Sequence, residues 1–159
     1  MTISFLLNGN SVSLDLPPNK RVIDVLREDF GLLANRAGCY SGKCGTCAVL
    51  IDSELSYSCL VPAFAVQDAD IITYEGLKGK PEFEDIIAGF EDAGYDPCAN
   101  CRQGRTMAVY ALLLAHQEPT RANIDEYLSD QRCTCSSMTE LYEAIAQTVF
   151  LRRSRRHVR

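Results

Sequence analysis

The chain has 159 residues, 47% of them hydrophobic and 23% charged, with a formal net charge of −5. That length suits one ordinary domain or two small ones, and the composition is that of a soluble globular protein. The acidic balance argues against nucleic acid as a partner, and no apolar run approaches the roughly 20 residues needed to span a bilayer. Met1–Leu7 lacks the basic start of a secretion signal and runs into a turn at Asn8-Gly9-Asn10. With eight cysteines in such a chain, a cytoplasmic location is expected, with thiols kept for metal in preference to disulfides.

Ile3, Phe5 and Leu7 alternate with smaller or polar residues, and Val12, Leu14 and Leu16 alternate again beyond the turn. This period of two on either side of Asn-Gly predicts a β-hairpin, stopped by Pro17-Pro18. From Arg21 to Phe30 the period changes. Val22, Val25, Leu26 and Phe30 share a helical face, and Gly31 is placed to end it. A cysteine-rich loop follows, then a buried strand over Ala48–Ile51 and a turn at Asp52-Ser53-Glu54. A short extended segment is expected at Tyr57–Leu60 and a closing strand at Asp70–Tyr74. Hairpin, helix, then further strands is the order of a β-grasp fold, assigned to residues 1–77.

Lys78-Gly79-Lys80-Pro81 reads as a linker, and beyond it the apolar period is helical throughout. Phe83, Ile86, Ile87 and Phe90 form one face, ending at Gly94. Met107–His116 is apolar nearly all round, as a central helix should be, with His116 at its end as a cap. Thr120 is the expected N-cap of a third helix carrying Ile124 and Leu128. Ser137-Met138-Thr139-Glu140 is a capping box that opens a last helix with Leu141, Ile145 and Val149 on one face. The class is therefore α+β, with a four-helix second domain over 78–152. The remaining residues, 153–159, read as a solvated basic tail, since Arg152, Arg153, Arg155, Arg156 and Arg159 crowd the end.

The cysteines fall into two quartets with none left over. Gly38–Cys47 packs Cys39, Cys44 and Cys47 among Gly38, Gly42 and Gly45, and Cys59 follows. C-x4-C-x2-C with a later cysteine is the spacing of a plant-type 2Fe–2S ferredoxin loop. Ferric iron bridged by sulfide favours soft thiolate ligands, and the glycines let a tight loop reach positive φ and turn its N–H groups toward sulfur. A disulfide knot and a zinc site are the alternatives. The second quartet, Cys98, Cys101, Cys133 and Cys135, is a C-x2-C with a later C-x-C. That spacing suits iron–sulfur or zinc, although C-x-C is awkward around tetrahedral zinc. No nucleophile–base pair, phosphate-binding glycine loop or paired carboxylates stand out, so no catalytic residues are assigned.

Together, the stretches Gly38–Leu50, Ser58-Cys59-Leu60, Thr73–Leu77, Cys98–Cys101, Gly104 and Cys133-Thr134-Cys135 resemble the small iron–sulfur subunit of the molybdenum hydroxylases, of the xanthine dehydrogenase and carbon monoxide dehydrogenase types. The resemblance implies two 2Fe–2S clusters in a non-catalytic electron-transfer subunit of an oxidoreductase. Cys39, Cys44, Cys47 and Cys59 would hold the flavin-side cluster, and Cys98, Cys101, Cys133 and Cys135 the molybdenum-side one. The implied partners are a larger molybdopterin-containing subunit and, on the acceptor side, an FAD subunit or another acceptor, with neither nucleic acid nor membrane insertion. The second quartet's neighbours depart from the family pattern. Pro97 replaces a glutamine, Ala99-Asn100 a Gly-Phe, Arg102-Gln103 a Thr-Pro, and Asp130-Gln131-Arg132 a Gly-Asn-Leu. Thr134 replaces an arginine, and Ser136-Ser137-Met138 a Thr-Gly-Tyr. A free-standing two-cluster ferredoxin or redox sensor is the alternative function, and a zinc-stabilised second half the alternative chemistry.

Overall fold

Asn8 and Gly9 both take positive φ, 51° and 82°, and turn the first strand back on itself. The hairpin they close pairs β1 (Thr2–Leu7) with β2 (Asn10–Asp15), Ile3 opposite Leu14 and Phe5 opposite Val12. The structure, a computed structural model, describes residues 1–131 and 133–157; Arg132, Val158 and Arg159, the last in the expected basic tail, lie outside the described residues.

After the hairpin, a single turn of α1 (Val22–Asp24) continues as a π-helical turn over Val25–Asp29. It buries Val22, Ile23, Val25 and Leu26. Gly31 at φ 65° ends it. Three further strands complete a mixed sheet, namely β3 (Ala48–Ile51), β4 (Glu54–Tyr57) and β5 (Asp70–Ile72). The order is β2-β1-β5-β3-β4, with β5 parallel to β1 and antiparallel to β3. This is the β-grasp arrangement. The extended segment expected at Tyr57–Leu60 lies earlier, because β4 ends at Tyr57. The Leu60 N–H turns back to the Tyr57 carbonyl (2.9 Å) and the Ser58 carbonyl accepts from the Ile23 N–H (3.1 Å), so Cys59 lies in a turn. The closing strand is also shorter than expected: it stops at Ile72, and Tyr74–Leu77 form the short helix α2.

Successive residues of β3 face opposite sides of the sheet. Val49 joins Ile3, Phe5, Leu26 and Ile71 in one core, whereas Ala48 and Leu50 join the helical core on the other side. That two-sided burial explains why Ala48–Ile51 reads as a continuous apolar run.

The helical half consists of α3 (Pro81–Asp92), α4 (Arg102–Ala115), α5 (Arg121–Leu128) and α6 (Met138–His157). Gly94 at φ 65° closes α3, with the Tyr95 N–H on the Phe90 carbonyl (2.8 Å). Every residue of α4 from Gly104 to Leu113 is buried, as a central helix requires. Both expected caps form. Thr120 accepts from the Asn123 N–H (3.3 Å), Ser137 from the Glu140 N–H (3.2 Å), and the Glu140 carboxylate accepts from the Ser137 N–H (2.9 Å).

The expected solvated tail is corrected, since α6 runs on through His157. Arg152 is buried and donates to the Leu113 carbonyl (3.2 Å). Arg155 grips the buried Asp85 of α3 with Nε at 3.0 Å and Nη2 at 2.7 Å. Arginine is a good helix former, and these contacts give the last turns a surface to lie on. No helix among the described residues is long and apolar enough to cross a membrane.

Two candidate metal centres

The first loop is coiled by residues that tolerate or require left-handed backbone: Tyr40 at φ 53°, Gly42 at 72° and Gly45 at 70°. Cys39 Sγ receives the N–H groups of Ser41 (3.4 Å) and Lys43 (3.3 Å). Hydrogen bonds, first from the Ser41 side chain and then from backbone N–H groups, lower the Cys39 thiol to about 6. Donors that favour a thiolate also favour the negative charge of a metal–sulfur group. Gly38 has a separate reason to be glycine, because a Cβ there would lie 2.9 Å from Cys44 Sγ. Cys44 Sγ lies 3.1 Å from the Thr46 hydroxyl, which donates to the Arg36 carbonyl (2.9 Å). Cys47 and Cys59 are buried with Ile23, and the Ser58 hydroxyl donates to the Cys47 carbonyl (2.7 Å) to fix that corner. Burial, with Cys59 alongside, pushes the Cys47 thiol up to about 12. Tyr40 and Leu60 stand exposed at the rim.

The second quartet is assembled from two chain segments. Cys98 and Cys101 occupy the turn that leads into α4, where the Cys98 carbonyl accepts from the Cys101 N–H (2.9 Å) and the Arg102 N–H (3.0 Å). Cys133 and Cys135 come from the connection between α5 and α6. The sulfurs of Cys98, Cys101 and Cys135 lie within 4.8 Å of one another, and Cys133 Sγ stands 2.8 Å from Cys135 Sγ. Backbone N–H groups, chiefly that of Cys101, lower the Cys98 thiol. Burial opposes ionisation of Cys133, but hydrogen bonds from Cys135 and Ser136 outweigh it and bring that thiol to about 6. Burial raises Cys101. A groove of about 310 Å³, lined by Phe90, Tyr95, Pro97 and Arg102 among others, adjoins this site.

Cys98, Cys101, Cys133 and Cys135 gather as one group, Cys39, Cys44, Cys47 and Cys59 line the first loop and the turn beside it, and all eight thiols are free of disulfides. Clustered thiols with backbone N–H groups directed at them are a donor set that fits an iron–sulfur cluster. Spacing does not indicate the residues that join the two loops. A Cβ on Gly104 would overlap the Gly45 carbonyl oxygen and fall 2.8 Å from its carbon, so the first loop's backbone rests directly on the first turn of α4. Beside it, a Cβ on Gly45 would strike the Gln131 side chain, whose Nε2 donates to the Gly104 carbonyl (3.2 Å). Arg36 spans the same seam, donating to Asn100 Oδ1 (2.9 Å) between the cysteines of the C-x2-C turn.

Residues 5–71 match the family described as a 2Fe-2S iron-sulfur cluster binding domain, and residues 73–146 the one described as a [2Fe-2S] binding domain. The class is therefore a two-cluster 2Fe–2S protein, and the zinc alternative for the second half is set aside. The chain is 34% identical over 151 residues to the nicotinate dehydrogenase small FeS subunit of Eubacterium barkeri, covering 94% of this chain and 95% of that one. It is 31% identical to the xanthine dehydrogenase iron-sulfur-binding subunit of Escherichia coli, covering 94% and 92%. Among solved structures, quinoline 2-oxidoreductase from Pseudomonas putida 86 superposes with a TM-score of 0.84 at 29% identity, covering 96% of each chain. The chain belongs to the small iron–sulfur subunits of the molybdenum hydroxylases. It is an electron-transfer subunit carrying two 2Fe–2S clusters.

Proposed function

We propose that Cys39, Cys44, Cys47 and Cys59 hold one cluster, that Cys98, Cys101, Cys133 and Cys135 hold the other, and that the pair relays electrons between a molybdopterin-containing chain and a flavin subunit or other acceptor. The ferredoxin-like unit over 1–77 faces the acceptor, and the helical unit from 78 onward faces the molybdenum subunit. What carries this reading is the seam at Gly104, Gly45 and Gln131. It brings two thiol quartets from distant parts of the sequence onto adjoining loops. Each cluster supplies one-electron chemistry. The chain holds eight thiolates, directs N–H groups at them and keeps water from Cys47 and Cys59.

Iron and sulfide analysis with EPR tests the ligand assignment. About four irons per chain and two distinct signals are expected, since each four-cysteine site of this type holds two irons. Cys98→Ser should remove one signal and leave the other. One zinc with half the iron, or loss of both signals in Cys98→Ser, would overturn it. Purification from native cells tests the partners: larger molybdenum- and flavin-containing chains should accompany this one, and a chain that purifies alone argues for a free-standing carrier.

A further inference from the structure

Arg105, in the first turn of α4, is only 4% exposed. Its Nη2 donates to the Gln131 carbonyl (2.9 Å) and its Nη1 lies 3.9 Å from the Met138 sulfur. Its Nε has no partner, and it makes no ion pair among the described residues. A guanidinium cannot shed its proton, so this is a permanently charged group taken out of water with no carboxylate to receive it. Such a group is costly unless another negative charge lies close by.

The surroundings indicate which charge that is. The Arg105 N–H bonds the Cys101 carbonyl (2.9 Å), Gln131 lies two residues before Cys133, and Met138 three residues after Cys135. The guanidinium is therefore held by the very segments that carry the second quartet. Tyr95, whose hydroxyl is shifted upward mainly by burial, also feels the charges of Arg105, Cys133 and Cys135. On the first quartet's side of the seam Arg105 is linked through Gln131, whose side chain fills the space beside Gly45. Tyr57, whose hydroxyl is shifted upward mainly by burial, feels both Arg105 and Cys47 there. Two ferric irons, two sulfides and four thiolates carry net negative charge, and the reduced cluster carries one unit more. A fixed cation nearby therefore favours the reduced form.

We propose that Arg105 is the buried counter-charge of the second cluster and raises its reduction potential above the value its four thiolates alone would set. One electron enters the cluster, no bond is made or broken, and no proton is transferred. The inference rests on the ligand assignment above, which stands or falls on the two EPR signals of the unaltered protein; the second cluster's midpoint tests Arg105 alone.

The test is an EPR-monitored redox titration of the complete, cluster-loaded protein as wild type, Arg105→Gln and Arg105→Lys. Glutamine can still donate to the Gln131 carbonyl but carries no charge. In Arg105→Gln the second cluster's equilibrium constant for reduction should fall about tenfold, 59 mV for a one-electron couple, with the first cluster moving less. Arg105→Lys should retain most of the wild-type value. If Arg105→Gln loses the second cluster while Arg105→Lys keeps it, iron content reports the same need for charge. An unmoved potential in Arg105→Gln, an equal shift in both variants, or loss of the second signal in both would overturn the proposal.

Discussion

At Gly104 the space for a side chain is taken by backbone, with the Gly45 carbonyl carbon 2.8 Å and Thr46 Cα 3.3 Å from where a Cβ would stand. Backbone on both sides cannot swing away as a flexible side chain can, so Gly104→Ala must part the two cluster loops. Overpacking of this kind costs about 1–3 kcal/mol. The expected outcome is a loss of that size in denaturant unfolding, with weaker magnetic coupling between the two EPR signals. A variant with wild-type stability and coupling would show that the loops do not depend on this contact. That the chain carries two 2Fe–2S units was legible from cysteine spacing, because a cluster draws its ligands from short sequence intervals. Gly42 and Gly45 were legible as tight-loop glycines, whereas the close approach to Cys44 Sγ that requires Gly38 shows only in the fold. Arg105 and Gln131 were not. Their contact joins positions 26 residues apart, and neither lies in a pattern that repeats. What reveals Arg105 is burial without a counter-ion, which only the folded chain displays.

Elements with a local cause were the ones the sequence revealed. The hairpin follows from period-two apolar positions around Asn8-Gly9, and α5 and α6 begin at the residues whose side chains cap them. The π-helical turn at Val25–Asp29 was not legible, since Val22, Val25, Leu26 and Phe30 fit an ordinary helical face equally well. Nor was the early end of β4, because Tyr57–Leu60 has strand-like residues and the bonds that turn it, Leu60 N–H to the Tyr57 carbonyl and Ile23 N–H to the Ser58 carbonyl, show only in the fold. Ser137 shows how a local signal serves the site, since it caps α6 two residues after Cys135. Ser137→Ala should destabilise the protein by about 1 kcal/mol, and Ser137→Asp, which caps as well, should restore most of it. Thermal unfolding of the cluster-loaded protein measures both. Equal melting temperatures for wild type and the alanine variant would mean that packing alone fixes the helix start.

For the molecule as a whole, the arginine-rich end was misread because its partners are far away in sequence. Five arginines near a terminus look solvated when only their neighbours are considered. In the fold, Arg152 and Arg155 lie one turn apart on α6, and Arg155 meets Glu82 and Asp85 of α3, 70 residues from the latter. The crossing that makes this possible is close, for a Cβ on Gly89 of α3 would lie 2.7 Å from the Thr148 nitrogen of α6. Asp85 is 9% exposed, so removing its partner strands a carboxylate that water barely reaches. The Arg155 side chain, at 28% exposure, is partly hydrated, which moderates the loss below that of a fully buried pair. Arg155→Ala should therefore cost about 2 kcal/mol. Removing Asp85 as well should relieve part of that loss, because the stranded charge goes with it. A double-mutant cycle on Arg155→Ala and Asp85→Ala should then return a coupling of about 1–2 kcal/mol, measured by denaturant unfolding at low and high salt. Because the carboxylate is shielded, most of that coupling should survive high salt, where an exposed pair would lose it. Strict additivity of the two substitutions would mean that the Arg155–Asp85 pair contributes nothing to holding α6 against α3.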